Sequence, residues 1–390
     1  MIKKISVLKK TLLTLALLFP ILAQAEVLAL VNYESKPGQT PQKEGLAIID
    51  IDLESENFGK IVENIPLPVG VVAHHVFYNK DVTKAYVTGL GNNPLQVMDM
   101  TKKPYKLETI AVPKCQVAED MVFTADKKRW FLTCMGSSNI IMGDAQTDQQ
   151  IKVISAPKTA SSKRFISRPH GIGLNDKINR IVVANTVSPD LSESEETITI
   201  LNARSGKVLS THKMSEKPSP SGVAPVEAVF VPKSNPERLY ITNMFGNTLW
   251  TGVWNTMSLN FSFSPVFDFN PLKQGVVLEI YFNHKLDQMY ITTASPGYLN
   301  VFDIKNPAKP KLIKAIPTAN GSHHIVLSPD ERYAFVQNSL LNLPNMSDGS
   351  ITVVDLKTQS VKTTIDTFKD QGLNPNNIVM MPKWHHDDAH

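Results

Sequence analysis

Short apolar runs separated by polar turns recur along the chain from residue 26 onward, and they repeat as a set. Tyr86-Val87-Thr88-Gly89, Tyr240-Ile241-Thr242-Asn243 and Tyr290-Ile291-Thr292-Thr293 are each preceded, across a polar turn, by another apolar run. Each is followed by a turn and a further apolar pair; pairs of this kind end on an acid, as in Val97-Met98-Asp99, Val301-Phe302-Asp303 and Val353-Val354-Asp355. The β-branched and aromatic content of these runs predicts strands. Weaker copies include Trp130 to Thr133 with Ile140 to Met142, and Arg180 to Asn185 with Ile198 to Leu201. A fourth strand follows each, as at Lys152-Val153-Ile154. No helical period competes.

Four short strands per unit, repeating roughly every 45 to 55 residues, predict an all-β fold, a β-propeller. Innermost strands begin near residues 74, 119, 170, 227, 278 and 323. A seventh unit is divided. Val27 to Val31 and Leu46 to Asp50 read as second and third strands, and Asn377 to Met381 supplies the innermost strand from the other end of the chain. Closing the ring with both termini leaves no open sheet edge, so seven blades are expected. The repeated Tyr-Val-Thr-Asn-like strand resembles the YVTN-repeat, YncE-like propellers over nearly all of the chain from residue 26. That resemblance implies an exported seven-bladed propeller. It is compatible with binding proteins, lactonases and metalloenzymes alike.

The ends lie outside the repeat. Lys3, Lys4, Lys9 and Lys10, then Thr11 to Leu22, then Ala23-Gln24-Ala25 read as a secretory signal peptide over residues 1–25. The propeller is expected over 26–383, with a His/Asp-rich tail at 384–390. Export means the periplasm in a Gram-negative host. No membrane anchor is expected after cleavage, because the residue immediately following the cleavage site is Glu26 and not the cysteine a lipoprotein needs. The chain carries 40 Lys+Arg against 36 Asp+Glu, and removing the leader leaves both signs at 36. Net charge therefore points to no nucleic-acid partner, and a monomer is expected. In an oxidising compartment Cys115 and Cys134, flanking one hairpin, are expected to form a disulfide.

Five of the ten histidines fall on the starts of innermost strands. Aligned on the turn that follows, His74, Glu119, His170, Glu227 and His323 share one column, with Leu278 and Asn376 in the other two blades. The next column holds His75, Asp120, Gly171, Ala228, Glu279, His324 and Asn377. Innermost strands line the central channel, so one column points at one small volume. Neutral imidazoles and carboxylates converging there suit a divalent metal; the competing reading is a hydrated channel or an organic-ligand pocket. Strand alternation predicts that only one member of each His-His pair faces the axis. His74, His170, His323, Glu119 and Glu227 are the expected ligands, with Glu119 or Glu227 as base. His75, Asp120, Glu279 and His324 are expected behind them. Copper or iron fits best, with zinc or calcium as other candidates.

The arrangement is similar to the axial histidines of carotenoid-cleaving oxygenases and of copper-dependent methanethiol oxidases of the selenium-binding protein family. The latter include an adjacent histidine pair. The positions here are His74, His75, His170 and His323, without those families' surrounding motifs. The resemblance implies a metal-dependent oxidoreductase acting on a small molecule at the channel mouth. A non-enzymatic binding propeller and a lactonase-like, calcium- or magnesium-dependent hydrolase are the alternatives. Arg168, beside His170, could neutralise an anionic substrate or pair on the blade surface. His212 and His284 fall outside the column. Serine-nucleophile, P-loop and dinucleotide motifs are absent.

Overall fold

A computed structural model describes residues 27–92, 95–215 and 221–382. The expected leader and the tail at 384–390 lie outside the described residues. Seven four-stranded antiparallel sheets make up the ring. In blade 1 the innermost strand is Leu373–Met380, pairing with Leu28–Ser35, then Glu44–Asp50 and Ile61–Leu67. The divided blade is thus as expected, joined by strands from both ends of the repeat. Blades 2 to 7 follow in chain order, with innermost strands Ala73–Tyr78, Ala118–Phe123, Pro169–Asn175, Pro225–Phe230, Gly275–Phe282 and Ser322–Leu327. The only α-helix among the described residues is Thr367–Asp370, which leads into the closing strand. Among the described residues no helix is long and apolar enough to cross a membrane.

Second strands such as Arg129–Cys134 are buried almost throughout, whereas outer strands such as Lys311–Pro317 are largely exposed. The core follows from this. Each interblade cluster takes residues from two neighbours: Tyr86 and Leu95 of blade 2 pack with Trp130 and Leu132 of blade 3, and Phe335 of blade 7 packs with Val31 of blade 1. One further cluster, including Val226, Met244, Leu278 and Leu340, sits at a channel mouth instead.

Cys115 and Cys134 form a disulfide. It ties the loop before the innermost strand of blade 3 to the end of that blade's second strand. Closing a loop with a sequence separation of 19 restricts the unfolded chain by about 3 kcal/mol. Replacing both cysteines by serine should lower the urea-unfolding free energy by about that amount while leaving the far-UV spectrum unchanged.

Candidate metal centre

Every innermost strand of blades 2 to 7 carries the same irregularity near its start. In blade 2, Ala73 pairs with Gly89 and Val76 with Val87, so His74 and His75 together oppose one residue. The corresponding pairs are Glu119-Asp120, His170-Gly171, Val226-Glu227, Leu278-Glu279 and His323-His324. This is a β-bulge. Two residues upstream the chain takes a left-handed kink each time, at Val72, Val117, Arg168, Ala224, Val276 and Gly321. For a β-branched valine that backbone is costly, and three of the six positions are valine.

The threonine of the Tyr-Val-Thr signature holds the bulge. Its hydroxyl accepts the N–H of the second bulged residue: Thr88 from His75 (3.2 Å), Thr133 from Asp120 (2.9 Å), Thr242 from Glu227 (3.2 Å) and Thr292 from Glu279 (3.2 Å). Gln337 does the same for His324 in blade 7. Blade 4 has Ala184 in that place, and Asp120 of blade 3 reaches across to accept the N–H of Ile172 (2.9 Å). Gly171 is required there, because a Cβ would lie 2.2 Å from the Val226 carbonyl oxygen.

Two expectations change as a result. Alternation fails at the bulge, so both members of each pair face the axis. The His74 and His75 rings stack with centroids 3.9 Å apart, and the His323 and His324 rings lie 4.0 Å apart. His75 and His324 meet edge-to-face at 4.8 Å. Secondly, Glu227 belongs to the second layer, not the first. Phe230 pairs with Leu239 across the blade 5 turn, nine positions on, whereas Tyr78 pairs with Ala85, seven on. The turn opens at Val231, whose N–H reaches Arg238 O as that of Asn79 reaches Lys84 O. The longer turn displaced the alignment by one residue, so Val226 occupies the place of His74 and Ala228 lies beyond the bulge.

The channel therefore holds two layers. The first contains His74, Glu119, His170 and His323, with Val226 and Leu278. The second contains His75, Asp120, Glu227, Glu279 and His324. Two groups of side chains bring ligand atoms within 4.8 Å of one another: His75, Glu279, His323 and His324, and His74, His75 and Glu119. His74 Nε2 lies 3.2 Å from Glu119 Oε2, and His323 Nε2 lies 3.4 Å from Glu279 Oε1. His170 stands between Glu119 and Glu227, at 3.6 Å from each. Of the expected ligands, His323 falls in the four-membered group, and His74 and Glu119 fall in the other. His170 and Glu227 flank both. His75, Glu279 and His324, expected behind the first-layer residues, fall within these groups as well.

Burial sets the protonation. Desolvation holds His74, His75 and His324 well below the ordinary imidazole range, helped by neighbouring imidazoles, so these rings are neutral. Desolvation also pushes the Glu119 carboxyl up to about 7, against the pull of His170 and His323, and raises Asp120 and Glu227. His75 Nδ1 lies 3.1 Å from the Glu119 carbonyl oxygen. That oxygen can only accept, so Nδ1 carries the proton and Nε2 presents a lone pair. His75 Nε2 is buried without a hydrogen-bond partner, as is His324 Nε2. His324 Nδ1 lies 3.0 Å from the Tyr281 hydroxyl, and the tautomer with its proton on Nδ1 would donate to that oxygen and leave Nε2 with a lone pair. Tyr281, which the sequence reading did not single out, is the orienting group. No strand periodicity marks it.

The remaining sequence candidates lie elsewhere. Arg168 is ion-paired with Glu193. The exposed His284 pairs with Glu331, and His212 bonds Ser210 at 2.8 Å.

Fold and centre together define a seven-bladed β-propeller with a buried His/Glu cluster on its axis. No family model and no curated protein matches the chain. Solved structures match it in fold. A hypothetical selenium-binding protein from Sulfolobus tokodaii is 14% identical with a TM-score of 0.70, covering 93% of this chain and 92% of that one. A protein from Lactobacillus plantarum is 13% identical with a TM-score of 0.66, covering 92% and 100%. A putative 6-phosphogluconolactonase from Bacteroides fragilis is 12% identical with a TM-score of 0.62, covering 93% and 100%.

Proposed function

We propose that the chain is an exported propeller that binds one transition-metal ion on its axis, with His75, His323, His324 and Glu279 as ligands. His74 and Glu119 stand beside that ion, and the protein acts on a small molecule as a metal-dependent oxidoreductase. The observation that carries this is His75, whose ring is fixed by a carbonyl acceptor while its buried lone pair has no donor. A buried polar atom without a partner costs about 1–3 kcal/mol, and a cation offsets that cost. The four buried carboxylates add to the argument. Glu119, Asp120, Glu227 and Glu279 are at most 8% exposed, and the described residues lining the two channel mouths include no Lys or Arg.

Imidazole and carboxylate donors with no thiolate, both cysteines being in the disulfide, suit copper, iron or zinc. Copper and iron are preferred for the redox role, in line with the resemblance to the methanethiol oxidases and with a fold shared with a selenium-binding protein. The imidazole-rich set argues against calcium or magnesium, and so against the lactonase-like reading. When bound, such an ion would supply Lewis acidity or an electron-transfer couple. The protein's own part is orientation: the Glu119 carbonyl fixes His75, and Tyr281 fixes His324. Glu119, between His74 and His170, can accept or return a proton near neutral pH.

Untagged protein exported from cells supplied with copper and iron should contain close to one metal per chain by elemental analysis. His75→Ala should lose most of it, and His284→Ala, altered outside the cluster, should keep it. Wild-type protein that holds no transition metal and takes none up on addition would refute the reading.

A further inference from the structure

The two mouths of the channel differ in chemistry. Where the innermost strands end, a cavity of about 430 Å³ is lined by Asp120, Glu227, Glu279 and Tyr281 together with His75 and His324. Where the strands begin, a cavity of about 240 Å³ has His74, Glu119, His170 and His323 at its floor and apolar walls. The walls have three sources. Val226 and Leu278 take first-layer positions that carry imidazole or carboxylate in other blades. The left-handed kinks bring Val117 and Val276 to the lining. The two long hairpin insertions, 188–193 of blade 4 and 340–347 of blade 7, contribute Leu191, Leu341, Leu343 and Met346. Leu191 and Phe245 stay exposed at the rim, at 39% and 38%. A folded chain gains nothing from large apolar side chains in water around a polar floor unless something apolar covers them. A concave apolar site with a few converging polar groups is the form of a small-molecule site.

Among the described residues lining it, none is a cation that could hold an anion. Arg168, the cation nearest in sequence to the floor residue His170, is absent from the lining and is committed to Glu193. We infer that this funnel is the substrate route to the axial cluster, and that it admits small uncharged apolar molecules while rejecting anions. The identification of the bound molecule as a substrate rests on the metal reading above; the selectivity of the funnel does not.

Toluene and benzoate share a shape and differ in charge, so they test that selectivity. Calorimetric titration of metal-free full-length protein at neutral pH should show toluene binding at least tenfold tighter than benzoate. Leu343→Trp, at a partly exposed position, fills the funnel and should weaken toluene at least tenfold with an unchanged unfolding midpoint. Leu341→Asp at the rim should do the same by adding charge. In protein loaded with cobalt(II), toluene should perturb the visible absorption bands, because the funnel opens on the cluster. Benzoate binding as well as toluene, or toluene binding undiminished in both variants, overturns the inference. So does a cobalt spectrum that toluene leaves unchanged. If wild-type protein binds toluene selectively yet takes up no metal, the metal reading fails and the funnel's selectivity stands.

Discussion

A chain shortened to end at Gly372 should fail to form the ring. Leu373–Met380 is the innermost strand of blade 1 and pairs with Leu28–Ser35 along nearly its full length. Its residues Leu373 and Ile378 are buried in the cluster between blades 7 and 1, beside Phe368 and Phe335. It also bonds both neighbours: Gln337 of blade 7 donates to the Pro375 carbonyl, and the Asn376 side-chain amide donates to Ala73 O of blade 2 (3.3 Å) as well as to Glu34 Oε1 of its own blade (3.1 Å). Removing it opens the sheet edge at Leu28–Ser35, a strand buried at every position, and such an edge templates aggregation. A point change gives a sharper energetic measure. Ile378→Asp puts a carboxylate at a position 1% exposed and should cost about 4 kcal/mol or more, read by urea unfolding. The shortened chain should be recovered in inclusion bodies, and co-expression of the segment 373–382 should restore part of it to solution. Soluble, cooperatively folding shortened protein would refute the closure argument.

Fold and site were legible to different depths, for physical reasons that can be named. The Tyr-Val-Thr strands repeat because each tyrosine or equivalent aromatic fills an interblade layer and each threonine holds a bulge. Tyr86, Tyr240 and Tyr290 are all buried, so blade number could be read from them. The column of axial residues was legible because all innermost strands start at one face. The bulge was not, since an extra residue leaves no mark in a pattern read at period two, and His75 and His324 were therefore placed behind the site. Glu227 was displaced for a different reason: the turn containing Pro232 and Pro236 is longer than its counterparts, and alignment on that turn carried the error back to the strand. The apolar funnel was invisible because Val117, Leu191, Leu278 and Leu343 come from four blades and look unremarkable in each.

Metal-linked stability should depend on pH, with Glu119 setting a proton's worth of the slope. Its carboxyl is raised to about 7 by burial, whereas in the unfolded chain it titrates near 4.3. Between those values the metal-free folded state holds a proton that the unfolded state has released. Stability is therefore lost as pH rises through that window, and above 7 the whole cost of about 3–4 kcal/mol is present. The imidazoles act the other way. His74, His75 and His324 are held well below 6.5, so the unfolded state takes up protons below 6.5 that the folded state refuses. Their contribution therefore falls as pH drops through 6.5 and is constant above it. A cation with Glu119 beside it favours the ionised carboxyl but asks no proton of imidazoles that are already neutral. Below 7, each pH unit should then weaken metal binding by up to about tenfold through Glu119 alone. The rise in unfolding temperature with saturating copper(II) or zinc(II) should be larger at pH 8 than at pH 6. In Glu119→Gln the affinity should lose that tenfold-per-unit dependence, although the amide also removes a nearby charge and weakens binding at pH 8. An affinity with the same slope in wild type and Glu119→Gln would place the ion away from Glu119, at the far side of the group formed by His323, His324 and Glu279.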